Sequence, residues 1–81
     1  MKVRLLYFAV LRDITGKNED EVELPEGTRA VEIWNRLRAQ HSELSGYERP
    51  PMTAVNEAYV SADQTLRDGD EVAFIPPVAG G

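Results

Sequence analysis

The sequence predicts a two-layer α+β domain, a single amphipathic helix packed on one face of a sheet. Three observations predict it. The chain has 81 residues, the size of one compact domain. It holds one long stretch whose apolar residues recur at helical spacing. Short runs of strand length lie on both sides of that stretch, separated by glycine, proline and aspartate turn signals.

Lys2 to Phe8 forms the first strand. Its alternation places Val3, Leu5 and Tyr7 on one face and Lys2, Arg4, Leu6 and Phe8 on the other. Ala9 to Ile14 suits a short helix, stopped near Thr15-Gly16. Lys17-Asn18 and the acids around them make a turn. Glu21 to Leu24 returns as a second strand, with Val22 and Leu24 on one side, antiparallel to the first. Pro25-Glu26-Gly27 ends that strand, and Thr28 is the expected N-cap of the main helix, Arg29 to His41. Ala30, Ile33, Trp34 and Leu37 repeat along it and Val31 widens the stripe. Arg36, Arg38 and Gln40 lie on the other side, where a solvated face is the default and a grip on a partner's carboxylates the alternative.

Ser42 to Pro51 reads as a loop, broken by Gly46 and by Arg49-Pro50-Pro51. Met52 to Asn56 is a strand, and Ala58 to Val60 is a shorter one suited to an edge. Gln64 to Leu66 is ambiguous. Asp68-Gly69-Asp70 signals a turn before the last strand, Val72 to Ile75, which Pro76-Pro77 ends because proline cannot donate to a ladder. A helix between the second and third runs implies that the first strand pairs in parallel with the last, at the sheet's centre. That is the β-grasp, or ubiquitin-like, arrangement. It covers residues 1–75 and leaves 76–81 as a flexible, extended tail.

Composition narrows the chemistry. No cysteine is present, so there are no disulfides, thiolate metal sites or cysteine nucleophile. Nine Lys and Arg against fourteen Asp and Glu give a net charge of −5. That balance repels nucleic acid and steers in a protein with a basic surface. The apolar run after Arg4 is too short for a membrane span and lacks a signal-peptide cleavage site, so a soluble, cytoplasmic chain is expected. His41, the lone histidine, suits a surface position near the helix C-terminus. Asp68-Gly69-Asp70-Glu71 lacks the spacing of a calcium loop and reads as a tight turn. Trp34 reads as core.

The tail Pro76-Pro77-Val78-Ala79-Gly80-Gly81 carries the remaining chemistry. Two prolines favour an extended exit, and six extended residues reach about 20 Å. Glycine permits close backbone approach in a narrow site. A terminal carboxylate is a poor electrophile and must be activated, for example as an acyl-adenylate, before anything can attack it. No Gly-rich phosphate loop is present, so activation falls to a separate protein. Two terminal glycines are also compatible with a frayed end or a cloning remnant.

Three stretches resemble the MoaD family, the small subunits of molybdopterin synthase. They are Val3-Arg4-Leu5-Leu6-Tyr7-Phe8-Ala9 with Leu11-Arg12-Asp13 and Gly16, then Ala54-Val55-Asn56-Glu57-Ala58-Tyr59-Val60, then Leu66-Arg67-Asp68-Gly69-Asp70-Glu71-Val72-Ala73 running through to Gly81. The resemblance implies that the Gly81 carboxylate is adenylated by a partner similar to ubiquitin-activating enzymes (MoeB-type), which uses ATP and magnesium. It is then converted to a thiocarboxylate. The carrier docks on the large synthase subunit (MoaE-type) in a heterotetramer, and its sulfur attacks a cyclic pyranopterin monophosphate to build the dithiolene of molybdopterin. Gly80 gives the tail passage. The chain binds no cofactor or metal of its own and is not an enzyme alone, the acid–base groups being expected on the large subunit.

By the same resemblance Phe8, Tyr59, Phe74, Pro76, Pro77 and Val78 contact partners. Phe8 shares a strand face with Lys2 and Arg4, which argues for exposure. The residues alone also allow Phe8, Tyr59 and Phe74 to be core. Three rival functions use the same features. They are a sulfur carrier for the thiazole of thiamine, a ubiquitin-like modifier joined to lysines, and a binding module with an inert tail.

Overall fold

A computed structural model describes residues 1–47, 50 and 52–75. Five strands form one sheet: β1 (Lys2–Leu6), β2 (Glu19–Glu23), β3 (Thr53–Val55), β4 (Ala58–Val60) and β5 (Glu71–Phe74). Two helices, α1 (Ala9–Thr15) and α2 (Ala30–Gln40), lie between β1 and β3 in the chain. The strand order is β2-β1-β5-β3-β4. β1 pairs in parallel with β5, and the other neighbours are antiparallel, as the β-grasp reading expected.

One face of this sheet carries the core. Val3, Leu5 and Tyr7 point into it, together with Val55, Val72 and Phe74. α2 lays Ala30, Ile33, Trp34 and Leu37 over them, all buried. Trp34 anchors the packing: its ring meets Phe74 at 5.2 Å and Tyr47 edge-on at 6.3 Å. Its indole N–H donates to the Tyr47 carbonyl at 3.1 Å, satisfying the one polar atom of a buried ring.

Several boundaries differ from those the sequence suggests. β2 begins at Glu19 instead of Glu21, because Glu19 and Asp20 pair with Leu6 and Leu5, and the Tyr7 N–H continues the ladder to the Asn18 carbonyl at 2.8 Å. Thr28 does not cap α2. Its hydroxyl donates to the Pro25 carbonyl at 2.7 Å and closes the turn that holds Gly27 at φ +86°. The first helical N–H groups reach further afield, Ala30 to the Gln64 carbonyl and Val31 to that of Ala62. The Glu32 carboxylate accepts from the Arg29 N–H at 2.7 Å. Within the expected loop, Ser42–Leu44 is a 3-10 turn that buries Leu44. Arg38 is half-buried and donates from Nη2 to the Ser45 carbonyl at 3.3 Å, so only Arg36 and Gln40 stand on an open flank. α1 ends where the sequence placed its stop. Gly16 takes φ +74° and its N–H returns to the Arg12 carbonyl, a left-handed cap that costs a glycine least.

Candidate functional site

No described helix lies over the sheet's second face, and the strand pleat divides it into two halves. On β2 and β1 the outward residues are Glu19, Glu21, Glu23, Lys2 and Arg4, in register across the pair. They pair among themselves. Lys2 Nζ lies 3.9 Å from Glu21, and Arg4 Nη1 lies 3.7 Å from Glu19 and 3.2 Å from Glu71.

The other half is apolar. Leu6 faces Ala73 across the parallel β1–β5 pair, and Ala54 faces Ala73 and Tyr59 across the antiparallel pairs. Ala54 and Ala73 have short side chains and little exposure, so they form a floor. Leu6, Phe8, Tyr59 and Ile75 stand around it as walls, with Glu57 and Glu71 beside them. The hollow has a volume of roughly 250 Å³. That is below the approximately 300–1,000 Å³ of small-molecule pockets and suits one or two side chains of another protein.

The expected contact residues divide here. Phe8 is 45% exposed and Tyr59 66% exposed, on the two sides of the same hollow. Phe74 is only 2% exposed and its ring lies against Trp34, so it belongs to the core and not to a contact surface. The reason is the two-residue period of β5: Val72 and Phe74 face inward, which turns Ala73 and Ile75 outward. Ile75, which sequence reasoning missed, takes the place expected of Phe74. Its N–H donates to the Met52 carbonyl at 3.0 Å, keeping the chain on the sheet up to the residue before Pro76. Pro76, Pro77, Val78, Gly80 and Gly81 lie outside the described residues, as do Arg49 and Pro51.

Backbone strain gathers at the margins of the hollow. Among the described residues three non-glycine residues have positive φ: Ala9 at 48°, Asn56 at 51° and Glu57 at 70°. Ala9 follows Phe8 directly. Asn56 and Glu57 form the two-residue turn that closes β3 on β4, with Val55 opposite Ala58. The structure therefore moves Asn56 out of the strand in which sequence reasoning placed it. Its side chain explains its backbone: Nδ2 donates to Asp70 Oδ1 at 2.9 Å, and Oδ1 accepts from the Glu71 N–H at 3.0 Å. Asp70 Oδ2 also accepts from the Arg67 N–H at 2.8 Å, and Asp68 Oδ1 from the Lys2 N–H at 2.7 Å. The acidic run at 68–71 is thus a hydrogen-bonded turn.

Beneath the charged half, on the core side, the Tyr7 hydroxyl donates to Asp20 Oδ2 at 3.4 Å. Burial, and then the neighbouring Asp20 carboxylate, push that hydroxyl up to about 12 from its ordinary 10.0. Among the described residues no group of three or more His, Cys, Asp or Glu is placed to hold a metal ion. No described helix is long and apolar enough to cross a membrane. Among the described residues the hollow is lined by apolar side chains with Glu57 and Glu71 at its margin, a lining suited to holding an apolar side chain.

Comparison with known proteins bears on what it binds. The family model described as the ThiS family matches residues 5–81. The chain is similar to the molybdopterin synthase sulfur carrier subunit of Chlamydomonas reinhardtii, 37% identical over 83 residues that cover 100% of both chains. It is 39% identical to the protein of that name from Escherichia coli (strain K12), over 98% of this chain and 99% of the other. Among solved structures it resembles one described as subunit 1 of a molybdopterin converting factor from Pyrococcus furiosus. There the TM-score is 0.79 and the identity 37%, over 96% of this chain and 99% of that one.

Proposed function

The chain belongs to the ThiS family, and from that premise we propose that it carries sulfur on Gly81 and delivers it to molybdopterin formation while docked on the large synthase subunit. Its similarity to sulfur carrier subunits of molybdopterin synthase over their full length supports the reading. The structural observation that carries it is the position of the hollow. Its wall ends at Ile75, one residue before Pro76, so a protein seated there has the root of the tail beside it.

In this reading a separate adenylating enzyme joins the Gly81 carboxylate to AMP and releases pyrophosphate from ATP. A sulfide equivalent then displaces AMP and leaves a thiocarboxylate. That sulfur is a good nucleophile at neutral pH, which suits a chain without cysteine. It attacks a carbon of the cyclic pyranopterin monophosphate, forming a C–S bond while the C–O bond at that carbon breaks and the oxygen leaves as phosphate or water. Water cleaves the resulting bond at the acyl carbon, so sulfur stays on the substrate and Gly81 returns as a carboxylate. Two such transfers supply the two sulfurs of a dithiolene. Docking raises the effective concentration of the sulfur at the substrate. The acid–base groups for these steps belong to the large subunit.

A reconstituted transfer assay tests this. The chain is loaded with sulfur, mixed with the large subunit and the pyranopterin precursor, and molybdopterin is measured, with a Gly81-deleted chain as control. Formation that depends on Gly81 is expected. Loading without molybdopterin formation would redirect the assignment to a thiamine-type carrier, and failure to load would leave a modifier or an inert module.

A further inference from the structure

We infer that Glu57 sets partner specificity: the surface that covers the apolar hollow brings an apolar side chain onto the Ala54–Ala73 floor and a lysine or arginine to the Glu57 carboxylate. The inference rests on the docking reading above and adds the chemistry of the surface that docks.

Glu57 occupies a backbone position that disfavours it. Both central residues of a two-residue hairpin turn of this type, with positive φ at each, favour Asn or Asp followed by glycine. Glu57 holds φ 70° there. Its neighbour Asn56 has a structural reason for its conformation in its bonds to Asp70 and Glu71. Among the described residues the Glu57 side chain has neither a hydrogen bond nor an ion pair, so the turn uses its backbone and leaves its carboxylate uncommitted. An outlier of this kind is a reason to look for function.

The charge pattern says which function. Two carboxylates line the hollow, and Glu71 is neutralised by Arg4 at 3.2 Å. Among the described residues Glu57 is the one of the two without an ion pair, at the margin of the apolar walls. A partner that covers those walls strips water from this carboxylate, which is unfavourable unless the partner supplies a cation. The chain's net charge of −5 steers the same kind of surface toward it. The volume of roughly 250 Å³ leaves room for a side chain on the alanine floor.

The test measures binding of the large synthase subunit of the same organism to the full chain and to Glu57→Gly, Glu57→Gln and Glu57→Lys, at low and at physiological salt. Glu57→Gly should raise Tm by about 2–5 °C by relieving the left-handed strain, yet weaken binding about tenfold. Glu57→Gln should weaken binding by a similar factor with Tm unchanged, and flatten its salt dependence. Glu57→Lys should weaken it about a hundredfold. Opposite signs for stability and affinity in Glu57→Gly are the signature a merely structural turn residue would not give. If wild type binds and the Gly and Gln variants bind within about twofold of it at both salts, the inference is wrong and the docking reading stands. If wild type fails to bind, the docking reading fails and the inference with it.

Discussion

The two halves of the open sheet face share one sheet, its register and solvent, yet they answer exposure differently. The half on β2 and β1 satisfies itself: Lys2 meets Glu21, and Arg4 sits between Glu19 and Glu71. The half on β5, β3 and β4 leaves Phe8 and Tyr59 in water around an alanine floor. Edge strands are commonly protected by charge, and β2 has that protection. The apolar half lacks it and reaches Ile75, one residue before Pro76. A self-satisfied surface and an unsatisfied one, separated by two residues along β1, are the contrast on which the docking proposal rests.

The largest expected effect tests the division between core and open face. Phe74→Ala should cost about 3–5 kcal/mol of stability, because it removes a buried ring from against Trp34. Urea denaturation measures it. One residue on, Ile75→Ala should cost less than about 1.5 kcal/mol and act mainly on affinity for the large subunit. A Phe74→Ala chain of undiminished stability would show that the phase assigned to β5 is wrong.

Next in size is the apolar half itself. Replacing Phe8 and Tyr59 together by alanine should weaken large-subunit binding roughly a hundredfold, with unfolding free energy changed by no more than about 1 kcal/mol. Calorimetric titration beside a thermal melt separates the two. Affinity within a few-fold of wild type would move the docking surface elsewhere on the molecule.

The legibility of these features in the sequence follows from how strands and helices mark their phase. β1 interleaves Lys2 and Arg4 with Val3 and Leu5, so its inner face can be read directly. β5 carries its phase in Glu71, which shares a face with Ala73 and Ile75 and so turns Phe74 inward; a strand read as Val72 to Ile75 leaves Glu71 out and with it the phase, and the resemblance offered Phe74 as a contact. α2 declared its buried stripe through four apolar residues at helical spacing. Leu44 declared nothing, since a lone leucine in a polar stretch has no period. The helix start was misread because its N–H groups are satisfied by Ala62 and Gln64, about thirty residues away, where Thr28 offered a local cap. For the hollow, sequence motifs supplied Phe8 and Tyr59, but its alanine floor exists only through the cross-strand register of β3 and β5.

A smaller effect concerns the polar pair beneath the charged half. The folded state holds the Tyr7 hydroxyl protonated up to about pH 12, whereas the unfolded chain releases that proton from 10.0. The unfolded state therefore loses its proton first as pH rises. Stability from this group is complete below pH 10 and declines toward pH 12. In Tyr7→Phe that part of the decline should vanish, as alkaline unfolding curves of the two chains would reveal. Parallel curves would mean that the hydroxyl is more hydrated than its burial suggests.

The smallest expected effect falls on the boundary between the halves. Arg4 reaches Glu71 at 3.2 Å and Glu19 at 3.7 Å from a half-exposed position. Exposed pairs of this kind contribute less than about 1 kcal/mol, so Arg4→Ala should scarcely move the melt. Its effect on binding is more informative. Without Arg4, Glu71 becomes a second unpaired carboxylate at the hollow, beside Glu57. If the partner brings one cation to Glu57, large-subunit affinity should change by no more than about twofold at physiological salt, because Glu71 remains solvated at the charged side. A tenfold loss would instead mean that Arg4 touches the partner and that the docking surface crosses β1 into the charged half. A gain would mean that the partner's basic surface is broad enough to use both carboxylates, and the boundary would then lie between Arg4 and Glu21.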